Sequence, residues 1–136
     1  MSAKAPATFK VSTSRKNQLI DITGEVSAIV RESGVAEGVC HVFVPHTTAG
    51  VTINENADPD VVSDIIMGMD SAVPEGLGYD HAEGNSPGHI KSSMVGVSET
   101  MFVSGGALLL GTWQGIYFCE FDGPRTRKVH VKVVSD

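Results

Sequence analysis

The sequence predicts an α+β fold: a single β-rich domain of antiparallel, sandwich-like sheets with two helices. Three observations lead there. Seven or eight short apolar or alternating runs are separated by turns rich in Gly, Pro and Asp. Only two segments carry helical periodicity. Strands and helices do not alternate along the chain, which argues against a doubly wound parallel sheet. The 136 residues suit one domain, and 41% hydrophobic content is ample for a core. Residues 1 to 7 are expected to form a flexible lead, and residues 8 to 136 the domain.

The elements follow in order. Residues 8 to 13, TFKVST, alternate as a strand, and LIDIT at 19 to 23 extends the sheet. GEVSAIVRES sets Val26, Ile29 and Val30 on one helical face, with Gly34 as its stop. GVCHVFVPH, residues 38 to 46, is nearly continuous in apolar character and is expected to be buried on both faces. AGVTIN follows as a strand. Asp58 then reads as an N-cap and Pro59 as first-turn proline. Behind them Val61, Val62, Ile65, Ile66 and Met69 form an apolar stripe. Residues 71 to 90 are Gly-, Pro- and Asp-rich and read as a long loop, of the kind that often carries function. One short helical turn is expected after Ser86-Pro87. ETMFV and ALLLGT flank SGG as a hairpin. WQGIYFCEF is a further strand, DGPR a turn, and KVHVKVV a closing strand with Val129, Val131 and Val133 alternating against Lys128, His130 and Lys132.

Ten basic residues against sixteen acidic ones give a net charge of −6. That sign opposes nonspecific binding to nucleic acid or to anionic membranes. No run is long and apolar enough to span a bilayer, and the first residues lack the apolar stretch of a signal peptide. Cys40 and Cys119 lie in apolar strands, so reduced core thiols and a cytoplasmic setting are expected.

The candidate chemistry is polar residues that resist a structural explanation. His46 ends a strand beside Thr47 and Thr48, while His81 and His89 bracket the loop HAEGNSPGH. Neutral imidazoles bind metals or move protons near neutral pH, so convergence of the three is one expectation. Scattered loop histidines are the alternative, because their spacing matches no zinc motif. His130 alternates with lysines on a solvated face, and His41 reads equally as a core histidine or a ligand. Asp58 is already used as a helix cap, and Asp60 and Asp64 as solvated charge. Glu55 shares a strand face with Val51 and Ile53, so its carboxylate needs a partner. Asn54 and Asn56 flank it. Lys91, Ser92 and Ser93, after the glycine-rich loop, could receive a phosphate, although the spacing is not that of a P-loop. Arg125, in the turn, reads equally as a second phosphate contact or as a turn arginine in water. Gln114 and Glu120 stand in an apolar strand and also need partners, whereas Trp113, Tyr117 and Phe121 share one face and are explained by packing.

Three blocks, HTTAGVTINENADPDV, HAEGNSPGHIKSSMVG and LGTWQGIYFCEFDGPR, together resemble the secondary thiamine-phosphate synthase family, long catalogued as an uncharacterised protein family. The one departure is Gly88 where many members place alanine before the histidine. The resemblance implies a trimer-forming subunit with a site built from the three blocks. It implies a transferase joining an aminopyrimidine diphosphate to a thiazole phosphate, with phosphate-bearing small molecules as partners and a divalent metal, Mg or Zn, as cofactor. Glu55, His46 and Asp58 would then be catalytic, and His46, His81 and His89 would hold the metal or relay protons. Asn54, Asn56, Gly84, Asn85, Lys91, Ser92, Trp113, Gln114, Glu120 and Arg125 would bind substrate. Two other classes fit the same residues: a zinc-dependent hydrolase or isomerase acting on another small molecule, and a non-catalytic small-molecule-binding trimer.

Overall fold

The computed structural model describes residues 5–136; the first four residues of the expected lead lie outside them. The chain forms β1 (Ala7–Ser12), β2 (Gln18–Asp21), α1 (Thr23–Ser33), β3 (Gly38–Phe43), β4 (Ala49–Glu55), α2 (Pro59–Ala72), α3 (Ser86–Val95), β5 (Ser98–Ser104), β6 (Ala107–Leu108), β7 (Gln114–Glu120) and β8 (Thr126–Ser135). The expected β-rich α+β domain with antiparallel sheets is observed. Among the described residues it carries three helices rather than two.

Every strand pairing is antiparallel. A five-stranded sheet runs β1-β8-β3-β5-β6, and a three-stranded sheet runs β2-β7-β4. The main core lies between them: Val42, Val44, Val51, Ile116, Phe118, Val129 and Val131, closed by Val26 and Val30 of α1. The far face of the small sheet is also covered. There Leu19, Tyr117, Cys119 and Phe121 pack under Val62, Ile65, Ile66 and Met69 of α2. The layers are therefore large sheet, small sheet, helix. β7 is the central strand of the middle layer, and from Gly115 to Glu120 every residue is buried.

Burial on both faces was expected of the 38–46 run, and it belongs to β7 instead. In β3, Gly38, Cys40 and Val42 face the core, while Val39 is half-buried and His41 and Phe43 are exposed. Among the described residues nothing covers the outer face of the large sheet, so the apolar run there records surface as well as core. His41 is neither a core histidine nor part of a cluster; its Nδ1 lies 3.1 Å from Thr100 Oγ1. His130 stacks on Phe43 with ring centroids 6.4 Å apart, on the same outer face.

α2 starts as the sequence predicts. The Asp58 side chain accepts a hydrogen bond from the Asp60 N–H at 2.9 Å, and Pro59 occupies the first turn. The expected loop from 71 to 90 is shorter, because α3 begins at Ser86. That helix escapes a periodicity search for a physical reason. Its buried face is Ser86, Pro87, Gly88, Lys91 and Ser92, with no large apolar residue among them. The ALLLGT run contributes only the two residues of β6, at the edge of the sheet.

Candidate functional site

The site forms at one end of the sandwich, where the chain passes from the large sheet to the small one. Pro45, His46, Thr47 and Thr48 make that crossing between β3 and β4. The β7–β8 turn supplies Arg125, and the start of β8 supplies Arg127. The loop before α3 supplies His81, Glu83 and Asn85, and the first turn of α3 supplies His89. Together these residues line one open cleft of about 440 Å³. α3 is seated close to the crossing because Gly88 has no side chain. A Cβ there would stand 3.0 Å from the Phe121 carbonyl oxygen and 3.4 Å from Thr48.

Beneath the cleft lies a buried polar network. Glu120 is fully buried, and its carboxylate accepts hydrogen bonds from Thr13 Oγ1, Arg127 Nε, Arg127 Nη2 and the N–H groups of Phe121 and Asp122. Burial alone would push this carboxyl up. The Arg127, Thr13 and Asp122 donors, with the Arg127 charge, hold it below the usual carboxylate range. Arg127 Nη2 also donates to the Thr48 hydroxyl at 2.9 Å. Glu120 is thus a structural ion-pair partner rather than a direct substrate contact. Arg127 was missed in the sequence, although the signal was present. It has the same strand parity as Val129 and Val131, which places it on the buried face of β8. A carboxylate inside an apolar strand needs a cation, and this is one.

His46 is held in a defined protonation state. Its Nε2 accepts the Lys128 backbone N–H at 2.9 Å, so the neutral ring carries its hydrogen on Nδ1. Burial, then the nearby Arg127 charge, lowers its pKa. His81 and His89 meet edge to face with centroids 5.3 Å apart. His81 Nε2 lies 3.9 Å from Glu83 Oε2. Arg125 is aimed by Asp122: Nε donates to its carbonyl at 2.8 Å and Nη2 to its carboxylate at 2.9 Å. Asn85 Nδ2 donates to the same Asp122 oxygen at 3.0 Å, which fixes the amide orientation. Its Oδ1 is buried and has no hydrogen-bond partner among the described residues. The cleft therefore gathers imidazoles and guanidinium groups whose orientations are set from behind.

The expected metal centre is not formed. Among the described residues, no group of three or more His, Cys, Asp or Glu side chains is placed to hold an ion. His81 and His89 meet, but the Nε2 lone pair of His46 is occupied by the Lys128 amide. The zinc-hydrolase alternative loses its ligand set for the same reason.

Several other expected site residues lie elsewhere. β4 spans seven residues, so its ends stand roughly 20 Å apart. His46 precedes one end and Glu55 closes the other. Glu55 is half-buried, and the contacts around it use main-chain atoms: its N–H bonds Asn54 Oδ1 and its carbonyl accepts from the Tyr117 hydroxyl. Asn56 lies flush on Gly115, where any Cβ would come within 2.5 Å of its Nδ2, and donates to Asp21. Gln114 Oε1 accepts the Gly111 N–H at 2.8 Å, and Trp113 is exposed on the same turn. Gly84 stands between the cleft residues Glu83 and Asn85 and contributes backbone shape, with φ +76°, a left-handed turn conformation. Lys91 is buried, with its ammonium on Asp70 and Asn17, so it joins α3 to α2 and is not a free phosphate ligand. Ser92, by contrast, stays near the cleft, lining a space that shares His46, Thr47 and His89 with it, and its hydroxyl donates to the Ala49 carbonyl at 2.6 Å, tying α3 to β4.

A family model described as UPF0047 protein YjbQ-like matches residues 7–136. The chain is 49% identical to UPF0047 protein MJ1081 of Methanocaldococcus jannaschii over 94% of this chain and 93% of that one. It is 51% identical to UPF0047 protein YugU of Bacillus subtilis, over 94% and 98% respectively. Among solved structures, a YjbQ/UPF0047 protein of Clostridium acetobutylicum superposes with TM-score 0.93 at 55% identity, covering 94% of this chain and 99% of its own. A YbjQ-like protein of unknown function from Sulfolobus solfataricus gives TM-score 0.93 at 32% identity, with 96% of each chain covered. These matches correct the resemblance drawn from the three sequence blocks. No relative or solved neighbour named here links the chain to thiamine-phosphate synthesis, to transferase activity or to a bound metal. The chain belongs to the UPF0047 YjbQ-like family.

Proposed function

We propose that the cleft binds a small phosphate-bearing molecule and that its histidines supply acid–base chemistry to it. The observation that carries this reading is the convergence of Arg125, Arg127, His46, His81 and His89 on one open cleft. Guanidinium N–H groups match phosphate oxygens in geometry and charge. Arg125 commits Nε and Nη2 to Asp122, and Arg127 commits Nε and Nη2 to Glu120 and Thr48. Among the described residues, neither Nη1 makes a hydrogen bond. His46 offers an Nδ1–H donor beside them. Its low proton affinity suits a neutral donor rather than a fixed cation.

Titration calorimetry with inorganic phosphate tests the binding half. Arg125 is half-exposed, so Arg125→Ala should weaken phosphate at least tenfold with no change in thermal stability. Absence of saturable phosphate binding to the wild type overturns the reading. For the chemistry, a panel of phosphomonoesters is followed by ³¹P NMR. Time-dependent conversion of one member, lost in His46→Asn and His89→Asn, is expected. Conversion that survives both substitutions removes the histidines from the mechanism.

Two wider expectations belong to the same proposal. Self-association, as a homotrimer, is supported by Phe43, Phe102, Leu109 and Val134, which are exposed on or beside the outer face of the large sheet. A cytoplasmic setting is supported by two unpaired buried thiols, Cys40 and Cys119. Among the described residues, no helix is long and apolar enough to cross a membrane.

A further inference from the structure

A second space shares part of its wall with the cleft and forms the other lobe of the proposal below. Beyond the arginine-bearing space lies another of about 460 Å³, lined by Ser92, Ser93, Gly96 and Val97. The two lobes share His46, Thr47 and His89. Away from those shared residues they differ in chemistry: the first presents two guanidinium groups with His81, Glu83 and Asn85, and the second presents small hydroxyls, backbone and one aliphatic side chain. Ser92 has already committed its hydroxyl to Ala49, and Ser93 its hydroxyl to the His89 carbonyl at 3.0 Å. The second lobe is therefore poor in free polar groups and carries no charged side chain. Each lobe is within the size range of a small-molecule pocket, so a bare phosphate would leave the second one unused.

The geometry points to a two-part ligand: a phosphomonoester whose phosphate sits against Arg125 and Arg127 and whose uncharged, partly apolar body fills the Ser93–Val97 lobe. This rests on the phosphate reading above and adds the substrate class. His46 and His89 stand at the seam, beside the place where the ester linkage would lie. The lobes divide the work. The charged one attracts any phosphate, and the uncharged one discriminates among bodies by size and by apolar surface removed from water.

The test compares inorganic phosphate with methyl, butyl and phenyl phosphate by calorimetry, on wild type and on Ser93→Phe. Ser93 is exposed on α3, so the added ring occupies the lobe without entering the core. On wild type, affinity should rise along the series, with phenyl phosphate at least tenfold tighter than inorganic phosphate. In Ser93→Phe, that gain should vanish while inorganic phosphate stays within twofold. Equal affinity across the series on wild type overturns the two-part ligand and leaves the phosphate site standing. A gain that persists in Ser93→Phe also overturns it, because the body then binds elsewhere. Failure of all four ligands to bind overturns the phosphate reading itself. The wild-type series decides the matter even if the variant misfolds.

Discussion

Replacing Glu120 by Gln is the most informative perturbation of the fold. The carboxylate is fully buried and receives five donors: Thr13 Oγ1 at 2.7 Å, Arg127 Nε at 2.9 Å, Arg127 Nη2, and the Phe121 and Asp122 N–H groups at 3.1 and 3.0 Å. A glutamine must turn its NH₂ toward one of these two donor sets, and either choice sets donor against donor. It also leaves the buried Arg127 charge without its counter-ion. Breaking one member of a buried pair costs about 3–5 kcal/mol. At about 4 °C per kcal/mol for a domain of this length, Tm should fall by roughly 12–20 °C. Thermal melts followed by circular dichroism read this directly. The pH dependence supplies a second check. The folded carboxyl titrates below its unfolded value, so its stabilisation is complete above the unfolded pKa. It is lost as pH falls through the folded value, so the gap between wild type and Glu120→Gln should close in acid. A loss below about 1 kcal/mol at pH 7 would refute the reasoning. So would a gap that stays constant down to pH 2. The double variant Glu120→Met/Arg127→Met should recover much of the stability, since it leaves no buried charge alone.

Two further outcomes follow from the same logic. Lys91 is buried while its partner Asp70 is half-exposed. Lys91→Met should therefore cost little, because Asp70 is rehydrated, whereas Asp70→Ala strands an ammonium and should cost about 2–3 kcal/mol more; equal losses in urea melts would contradict the burial argument. For His46, ¹⁵N-detected NMR at pH 7 should show the hydrogen on Nδ1. Its folded pKa lies below the unfolded one, so stability should decline as pH falls below the unfolded value near 6.5. The slope should disappear in His46→Gln, and an Nε2–H tautomer would remove the Lys128 hydrogen bond from the account.

Much of the fold was legible because it obeys simple periods. The alternation in β8, the Asp58-Pro59 helix start and the apolar stripe of α2 each fit one period or one cap motif in the sequence. What escaped was hidden by chemistry rather than by weak signal. α3 buries serine, glycine, proline and lysine, so no hydrophobic face announces it. The outward residues of β3 are as apolar as the inward ones, so the sequence reads as doubly buried although the outer face is bare. At the site, His46, His81, His89, Asn85 and Arg125 were singled out and do come together. Glu120 was recognised as needing a partner, but Arg127 went unnamed because its meaning lies in strand parity, not in a motif. For Lys91 the sequence misleads, because a lysine near a glycine-rich loop suggests phosphate. Only the three-dimensional fold shows it already bound to Asp70.

The length of β4 has a consequence for reading such chains. Residues 46 to 60 look like one signature, yet the strand inside them acts as a spacer that sends its two polar ends to opposite poles of the molecule. Matching the whole stretch therefore counts two surfaces as one. Substitutions at His46 and at Glu55 should add as unrelated sites do, because roughly 20 Å of packed strand separates them. A relative that keeps one pole and changes the other has kept half of the apparent motif, and the half it keeps says which surface is under constraint.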